Sequence, residues 1–176
     1  MTTPCYRSLV LAIHPSSRGF GWVAFEGPFS PWAWGSVGAR GTGKNARCLR
    51  RIEKLINRLT PETIVLEAYE QKDSARRSRI TDLCRGIVAL AASQSTDVAV
   101  YTFRDVKLTF AHLGARTRQE IAEVIGRQIA AFSHLVPRKR RAWDSEGYRM
   151  QLFSATALAL THYQRDAASV LDILSR

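Results

Sequence analysis

The chain of 176 residues has room for one domain, and its shares of apolar (45%) and charged (23%) residues are ordinary for a protein with a packed core. It has 26 lysines and arginines against 15 aspartates and glutamates, a formal charge of +11 that predicts attraction to a polyanion such as nucleic acid. The sequence contains no run of 18 apolar residues, no signal-peptide pattern and no lipidation motif, so we expect no membrane association.

The first third of the chain predicts an antiparallel meander followed by a helix. Short apolar runs at 8–13, 20–26 and 32–37 are separated by glycines and prolines, a pattern typical of strands joined by tight turns. Residues 45–59 place leucines and isoleucines three and four positions apart, which predicts a helix with one apolar face. We expect three tryptophans to lie in the core or at its rim, namely Trp32, Trp34 and Trp143.

Strands and helices alternate in the middle of the chain. A buried strand at 63–66 ends in Glu67 and leads through a charged loop, 68–79, into a helix at 80–93. A further apolar strand is predicted at 98–103. Because strands here alternate with helices, we expect these strands to pair in parallel.

The last third predicts helices. Thr117 and Glu120 form a capping box, in which a hydroxyl and a carboxylate satisfy free backbone N–H groups, and they open a helix that reaches Phe132. A second helix is predicted at 148–163, and a short terminal one at 167–174.

The predicted order is therefore β-β-β-α-β-α-β-α-α. This order favours an α/β fold with a mixed five-stranded sheet, in which the first three strands are antiparallel, the later ones are parallel, and helices cover both faces. We expect one domain over 1–163 and a short C-terminal helical extension over 164–176.

Four blocks in chain order resemble segments of the RuvC-like Holliday junction resolvases. Residues 11–21 (LAIHPSSRGFG) resemble the family's opening strand and turn, where the pattern is apolar-Asp-Pro-Gly-Ser-Arg followed by Gly, and 64–67 (IVLE) resemble the strand that delivers a second acid. Residues 101–120 (YTFRDVKLTFAHLGARTRQE) are similar to the segment with Val-Lys, a glycine turn, a basic residue and a helix start. Residues 154–162 (SATALALTH) resemble the last helix.

This resemblance implies an RNase H-like fold and hydrolysis of phosphodiesters by two divalent ions, Mg²⁺ or Mn²⁺, held by clustered carboxylates. At the matching positions the chain keeps Glu67 but carries His14 where the family has Asp. In the last helix, where the family offers two acids or a His and an acid, it shows Phe153, Ser154 and Thr156. Replacing Asp by neutral His weakens divalent-ion binding and favours binding of bare phosphate.

Three interpretations of this site stand open. In the first, the site is degenerate and the protein binds DNA without cutting it. In the second, His14, Glu67 and a carboxylate from Asp144 or Glu146 hold one softer ion such as Mn²⁺. In the third, the correspondence of the last helix is displaced, and Asp144 and Glu146 supply the missing acids. The candidate catalytic residues are therefore Glu67, His14, Asp144 and Glu146, with Glu67 and His14 as metal ligands.

Basic residues stand where the resemblance implies contacts with the DNA backbone. Lys107 and Arg118 match the family's basic positions on either side of the glycine turn, and Tyr69 follows Glu67 in a loop where an aromatic ring can stack on an unpaired base. The predicted DNA-binding residues are Arg18, Tyr69, Arg76, Arg77, Arg79, Lys107, Arg116, Arg118, Arg138, Lys139, Arg140 and Arg141. Such contacts recognise shape rather than base sequence.

Two hypotheses for function follow. The chain is a metal-dependent endodeoxyribonuclease acting on branched DNA in recombination and repair, or a catalytically inactive DNA-binding or scaffold subunit of a nucleoprotein complex; RNA is a weaker candidate ligand. We expect a homodimer, because a four-way junction has two-fold symmetry, and the small residues of the helix at 80–93 form a candidate interface.

Cys5, Cys48 and Cys84 form no disulfide or zinc pattern and predict reduced thiols in the cytoplasm.

Overall fold

A computed structural model describes residues 8–68, 75–139 and 147–174. Five strands form one mixed sheet: β1 Val10–Ser16, β2 Gly19–Gly27, β3 Ser30–Gly38, β4 Thr63–Glu67 and β5 Asp97–Tyr101. Their order across the sheet is β3-β2-β1-β4-β5. The pairs β1–β2 and β2–β3 are antiparallel, whereas β1–β4 and β4–β5 are parallel. The predicted meander and the parallel pairing that follows it are confirmed.

In the described ranges, five α-helices cover the sheet: α1 Lys44–Leu59, α2 Ala75–Ser93, α3 Phe103–Phe110, α4 Arg118–Gln128 and α5 Tyr148–Leu174. Residues of α1 and α2 share one hydrophobic core with one face of the sheet, and residues of α3, α4 and α5 share another core with the opposite face. Helices therefore lie on both faces, as predicted.

The alternation of side chains along each strand decides which face a polar residue joins. Leu11 and Ile13 of β1 pack towards α1 and α2, whereas Val10 and Ala12 pack towards α4 and α5. By the same alternation His14, the next even-numbered residue of β1, falls on the α5 side.

Two helix starts differ from the prediction. α2 begins at Ala75, so part of the predicted charged loop is helical. α3 was not predicted, because the preceding strand was extended to Phe103. It is opened by a second capping box, in which the Thr102 hydroxyl accepts a hydrogen bond from the Asp105 backbone N–H at 3.1 Å and the Asp105 carboxylate accepts one from the Thr102 N–H at 2.8 Å.

The capping box of Thr117 and Glu120 is confirmed, but the helix that it opens is shorter than predicted. α4 ends at Gln128, and the chain continues as a 3₁₀ helix, Ala130–Leu135, which carries Phe132 into the core.

α5 runs without a break through the two ranges in which separate helices were predicted, 148–163 and 167–174. Among the described ranges no helix is both long and apolar enough to cross a membrane.

Gly21 allows β2 and α5 to approach closely. A Cβ built on Gly21 would lie 2.4 Å from the carbonyl carbon of Gln151 and 2.7 Å from its Cβ, distances at which atoms overlap. Gly21 also pairs with His14 in the β1–β2 register. This glycine therefore sets how closely α5 approaches the strand pair that carries His14.

We expect Gly21→Ala to lower the free energy of unfolding by about 1–3 kcal/mol, the range for overpacking a well-filled interior. Gly27→Ala is the matched control in the same strand, because a Cβ there meets no atom within 4 Å. Urea unfolding followed by circular dichroism compares the two variants with the wild type. A Gly21→Ala protein as stable as the wild type would contradict the close contact.

Candidate functional site

The candidate site lies at the edge of the sheet where β1, β4 and β5 end and β2 begins. We refer to this edge as the site edge. Glu67, the last residue of β4, is only 5% exposed, and its two carboxylate oxygens have different partners. His14 Nδ1 lies 2.9 Å from Glu67 Oε2, and Arg118 Nη2 donates a hydrogen bond to Glu67 Oε1 at 2.7 Å. We refer to Glu67, His14 and Arg118 as the ion-pair centre.

Arg118 is positioned by the start of α4. It follows the N-cap residue Thr117, whose capping box fixes the local backbone. Its guanidinium carbon lies 4.2 Å from the ring centre of Phe103 in α3, and its Nη1 donates a hydrogen bond to Ser154 Oγ in α5 at 3.1 Å. Residues of three helices therefore hold this guanidinium against Glu67, a role that sequence analysis missed.

The surroundings of Glu67 favour its ionised form. Burial raises the pKa of this carboxyl, but the hydrogen bond and charge of His14 and the charge and hydrogen bond of Arg118 outweigh burial and hold the pKa below its ordinary value. Glu67 is thus a buried carboxylate whose charge is compensated by protein groups.

The ion-pair centre does not fit the two-metal site that the resemblance implies. Divalent ions of that kind need clustered oxygen ligands, and the described part of the chain contains no group of three or more His, Cys, Asp or Glu side chains that could hold a metal ion. Both Glu67 oxygens already lie against nitrogen atoms of the protein. A divalent ion approaching Glu67 would meet the repulsion of Arg118 and would have to displace it.

The start of α5 offers neutral groups to the site. Ser154 accepts the hydrogen bond from Arg118, but the other two residues considered in the sequence do not reach the site. Phe153 is buried in the core, and the Thr156 hydroxyl donates to the carbonyl of Leu152 at 2.9 Å.

Gln151 is a polar residue near the site that sequence analysis missed. It precedes Ser154 by about one helical turn, its side chain is buried, and its backbone packs on Gly21, the partner of His14 in the sheet. Its Oε1 accepts no hydrogen bond from the described residues. The spacing of three between Gln151 and Ser154 was the available signal, because residues so spaced lie on one face of a helix.

Five predicted DNA-binding residues form a basic rim around the start of α4: Lys107, Arg116, Arg118, Arg138 and Lys139. Lys107 Nζ lies 5.5 Å from the centre of the Phe103 ring, on which Arg118 also packs. Gln119 Nε2 donates to the carbonyl of Pro137 at 2.8 Å, which brings the segment with Arg138 to the same end of α4. All members of the rim except Arg118 are well exposed.

Arg79 lies in α2 and not in a loop. Its Nη1 donates to Asn45 Oδ1 at 2.9 Å, and its Nη2 donates to the carbonyl of Ser16 at 2.7 Å. Arg79 therefore ties α2 to α1 and to the end of β1, besides its predicted contact with DNA. The backbone of Arg76 and Arg77 also lies in α2.

Arg18 is exposed in the turn between β1 and β2, at the site edge. The other predicted site residues lie outside the described residues: Tyr69, Arg140, Arg141, Asp144 and Glu146.

We expect Glu67→Gln to lower the free energy of unfolding at pH 7 by about 3 kcal/mol, the lower end of the range for breaking a buried ion pair, because Arg118 is 31% exposed and can regain water. The folded-state pKa of Glu67 is lowered, so its contribution is present above the unfolded pKa of about 4.3 and is lost as the pH falls through the folded value. The difference between wild type and variant should therefore shrink below about pH 4, as urea unfolding at several pH values would show.

A metal-binding cluster of carboxylates would behave in the opposite way. Removing one of several mutually repelling acids stabilises the metal-free protein, and Mg²⁺ or Mn²⁺ raises the melting temperature of the wild type. Those two results together would overturn the ion-pair centre as the resting arrangement of this site.

No protein-family model and no curated protein sequence matches the chain. Among solved structures, it is similar to Thermus thermophilus RuvC in complex with a Holliday junction substrate, with a TM-score of 0.67 and 18% identity over 89% of this chain and 95% of that chain. It is also similar to a structure of Thermus thermophilus RuvC (TM-score 0.63, 23% identity, 90% and 96% covered) and to the yeast mitochondrial Holliday junction resolvase Ydc2 (0.57, 15%, 93% and 83%). The chain has a RuvC-like fold of the RNase H-like class, as the sequence blocks predicted.

Proposed function

We propose that this chain binds branched DNA without cutting it, as a DNA-binding subunit in recombination or repair. The observation that carries the proposal is the charge of the site edge. Glu67, the only buried carboxylate among the described residues, is compensated by Arg118 and His14, while the basic rim around it stays exposed. Such an edge attracts phosphate groups rather than divalent cations.

The structural likeness supports DNA as the class of ligand. A RuvC of the same fold is bound to a Holliday junction substrate in its structure, which makes four-way DNA the first ligand to test. The basic rim offers contacts to the phosphate backbone, so recognition is by the shape of the branched DNA, with strong dependence on salt.

The resemblance raises an alternative, in which the protein cleaves DNA with bound Mg²⁺ or Mn²⁺. The ion-pair centre argues against this alternative. Glu67 would have to leave Arg118 before it could bind an ion. Asp105, close to the end of β5, is itself engaged by the Thr102 N–H and by an ion pair with Arg165. Both carboxylates are therefore held by partners within the protein.

We further propose that two copies of the chain associate through α2. The outer face of α2 and the edge strand β5 enclose an open apolar groove of about 420 Å³, lined among others by Val88, Ala89, Ala92 and Val100. Val88 and Val100 are exposed although they are apolar, and the groove reaches Glu67. A second copy related by two-fold symmetry would bury this groove and offer two site edges to the two equivalent halves of a four-way junction.

We expect the wild type to bind a labelled four-way DNA junction more tightly than a linear duplex of the same sequence and to leave it uncut in Mg²⁺ and in Mn²⁺. Gel shift measures the binding, and a denaturing gel measures cleavage, with Glu67→Ala as the control. A cut product formed by the wild type and not by Glu67→Ala would contradict the non-cutting proposal. Equal affinity for junction and duplex, or tighter binding of an RNA junction, would contradict the choice of ligand.

Lys107→Ala should weaken junction binding and reduce the slope of log K against log salt by about 1, because one phosphate contact is lost. Lys54→Ala is the matched control: it also removes one exposed lysine, but from α1 on the opposite face of the sheet. Binding titrations at four salt concentrations give the slopes, and equal slopes for the two variants would remove Lys107 from the proposed interface.

Val88→Lys should convert a dimer into a monomer, because a charge in the centre of an apolar interface stays without a partner. Leu108→Lys places the same charge on an exposed apolar residue of α3 outside the groove and should leave the mass unchanged. Light scattering after size exclusion measures both, and a wild type that is monomeric at all concentrations would rule out the proposed dimer.

A further inference from the structure

Three exposed aromatic residues lie along the edge strand β3 and at the start of α5. Trp32 and Trp34 lie two residues apart on the edge strand β3 and are 54% and 37% exposed, and Tyr148 at the start of α5 is 40% exposed. We refer to Trp32, Trp34 and Tyr148 as the aromatic strip. Six of the ten other aromatic residues in the described ranges are buried, so rings as exposed as these require an explanation.

Trp34 and Tyr148 are held in place by the fold. Trp32 lies two residues before Trp34 in β3, at the point where the β2–β3 register shifts. The Trp34 ring packs edge-to-face on the buried Phe132, with ring centres 5.0 Å apart and planes at 83°. Tyr148 is tied to the same strand, because the Ser36 hydroxyl donates to the Tyr148 carbonyl at 3.1 Å.

The strip begins at the site edge. Ser36 pairs with Gly21 across β2 and β3, and Gly21 pairs with His14 of the ion-pair centre across β1 and β2. From Tyr148 the strip runs along β3 through Trp34 to Trp32, away from that edge. A strand of nucleic acid that leaves the site edge along β3 would therefore meet the three rings in succession.

The charge around the start of the strip suits nucleic acid. Arg18 and Arg40 are both exposed, and they are brought together by the hydrogen bond from the Ala39 N–H to the Arg18 carbonyl at 2.9 Å. Arg149 is exposed next to Tyr148. The sequence has no Asp or Glu between Glu26 and Glu53, the stretch that contains all of β3.

We propose that the aromatic strip stacks the unpaired bases of a DNA strand that leaves the branch point, so that the protein prefers branched DNA with a single-stranded segment. The inference rests on the proposed function, because it extends the same DNA-binding surface. Exposed aromatic rings beside cations bind single strands irrespective of sequence, since every base has a face that can stack. Phosphate contacts at the rim and base contacts on the strip would then act on different parts of one ligand.

The test compares two four-way junctions with identical arms, one fully paired and one with a thymidine tail at the branch point. The wild type should bind the tailed junction more tightly. Trp32→Ala should weaken binding of the tailed junction about tenfold, as expected for the loss of stacking on one base, and leave binding of the paired junction unchanged. Because no charge is removed, the salt dependence should not change, unlike that of Lys107→Ala.

Two further variants keep the result specific. Trp32→Phe retains an aromatic face and should recover most of the affinity for the tailed junction. Phe29→Ala removes a ring of similar exposure, 52%, from the turn before β3, where Phe29 lines a groove with Thr109 and His112 instead of belonging to the strip, and it should bind both junctions as the wild type does.

The possible failures are distinguishable. If the wild type binds neither junction, the proposed function itself falls. If it binds both equally well, or if Trp32→Ala matches the wild type on the tailed junction, the strip is not a site for bases although the proposed function stands. If Trp32→Ala changes the mass of the oligomer in solution but not the affinity for DNA, the strip is a contact between protein copies and the proposal is overturned.

Discussion

A carboxylate buried at the end of a strand has to be compensated, and in this chain the compensation of Glu67 determines what the site can do. The guanidinium of Arg118 and the imidazole of His14 each lie against one oxygen of Glu67. The pairing joins β4 to β1 within the sheet and both strands to α4, while Phe103 and Ser154 connect the same guanidinium to α3 and α5. The meeting point of five elements is thus organised by one negative charge.

The same pairing separates this chain from the chemistry that its fold can support in other proteins. Carboxylates arranged around divalent ions repel one another until the ions bind, whereas Glu67 is compensated as soon as α4 is in place. The positive charge left at the site edge belongs to side chains and is present without any cofactor. The proposed affinity for a polyanion therefore needs no cofactor, and the proposed preference for branched over linear DNA would come from the placement of these charges and of the aromatic rings.

Much of the fold could be predicted from local patterns, and the ion-pair centre only in part. Alternating apolar residues and glycine or proline turns indicated the strands, and His14 and Glu67 were recognised because the segments that contain them resemble those of the RuvC-like resolvases. The partner of Glu67 could not be predicted, since Arg118 is 51 residues away and meets it only after α4 has docked. The start of α3 carried the usual signal, a threonine followed three residues later by an acid, but the signal was overlooked in favour of a longer strand. The exposure of Trp32 and Trp34 depends on β3 being at the edge of the sheet, which sequence patterns do not specify.

The position of β3 at the edge also has a consequence for association between copies of the chain. A free edge exposes backbone N–H and C=O groups with which a strand of another molecule can pair, and apolar contacts with the tryptophans on β3 would stabilise such pairing. The β2–β3 pairing is irregular near Phe25 and Gly27, and β3 contains Pro31, which has no N–H donor. Both features disturb the regular surface that a second strand needs. The chain can thus display aromatic rings on an edge strand with little tendency towards strand-to-strand aggregation.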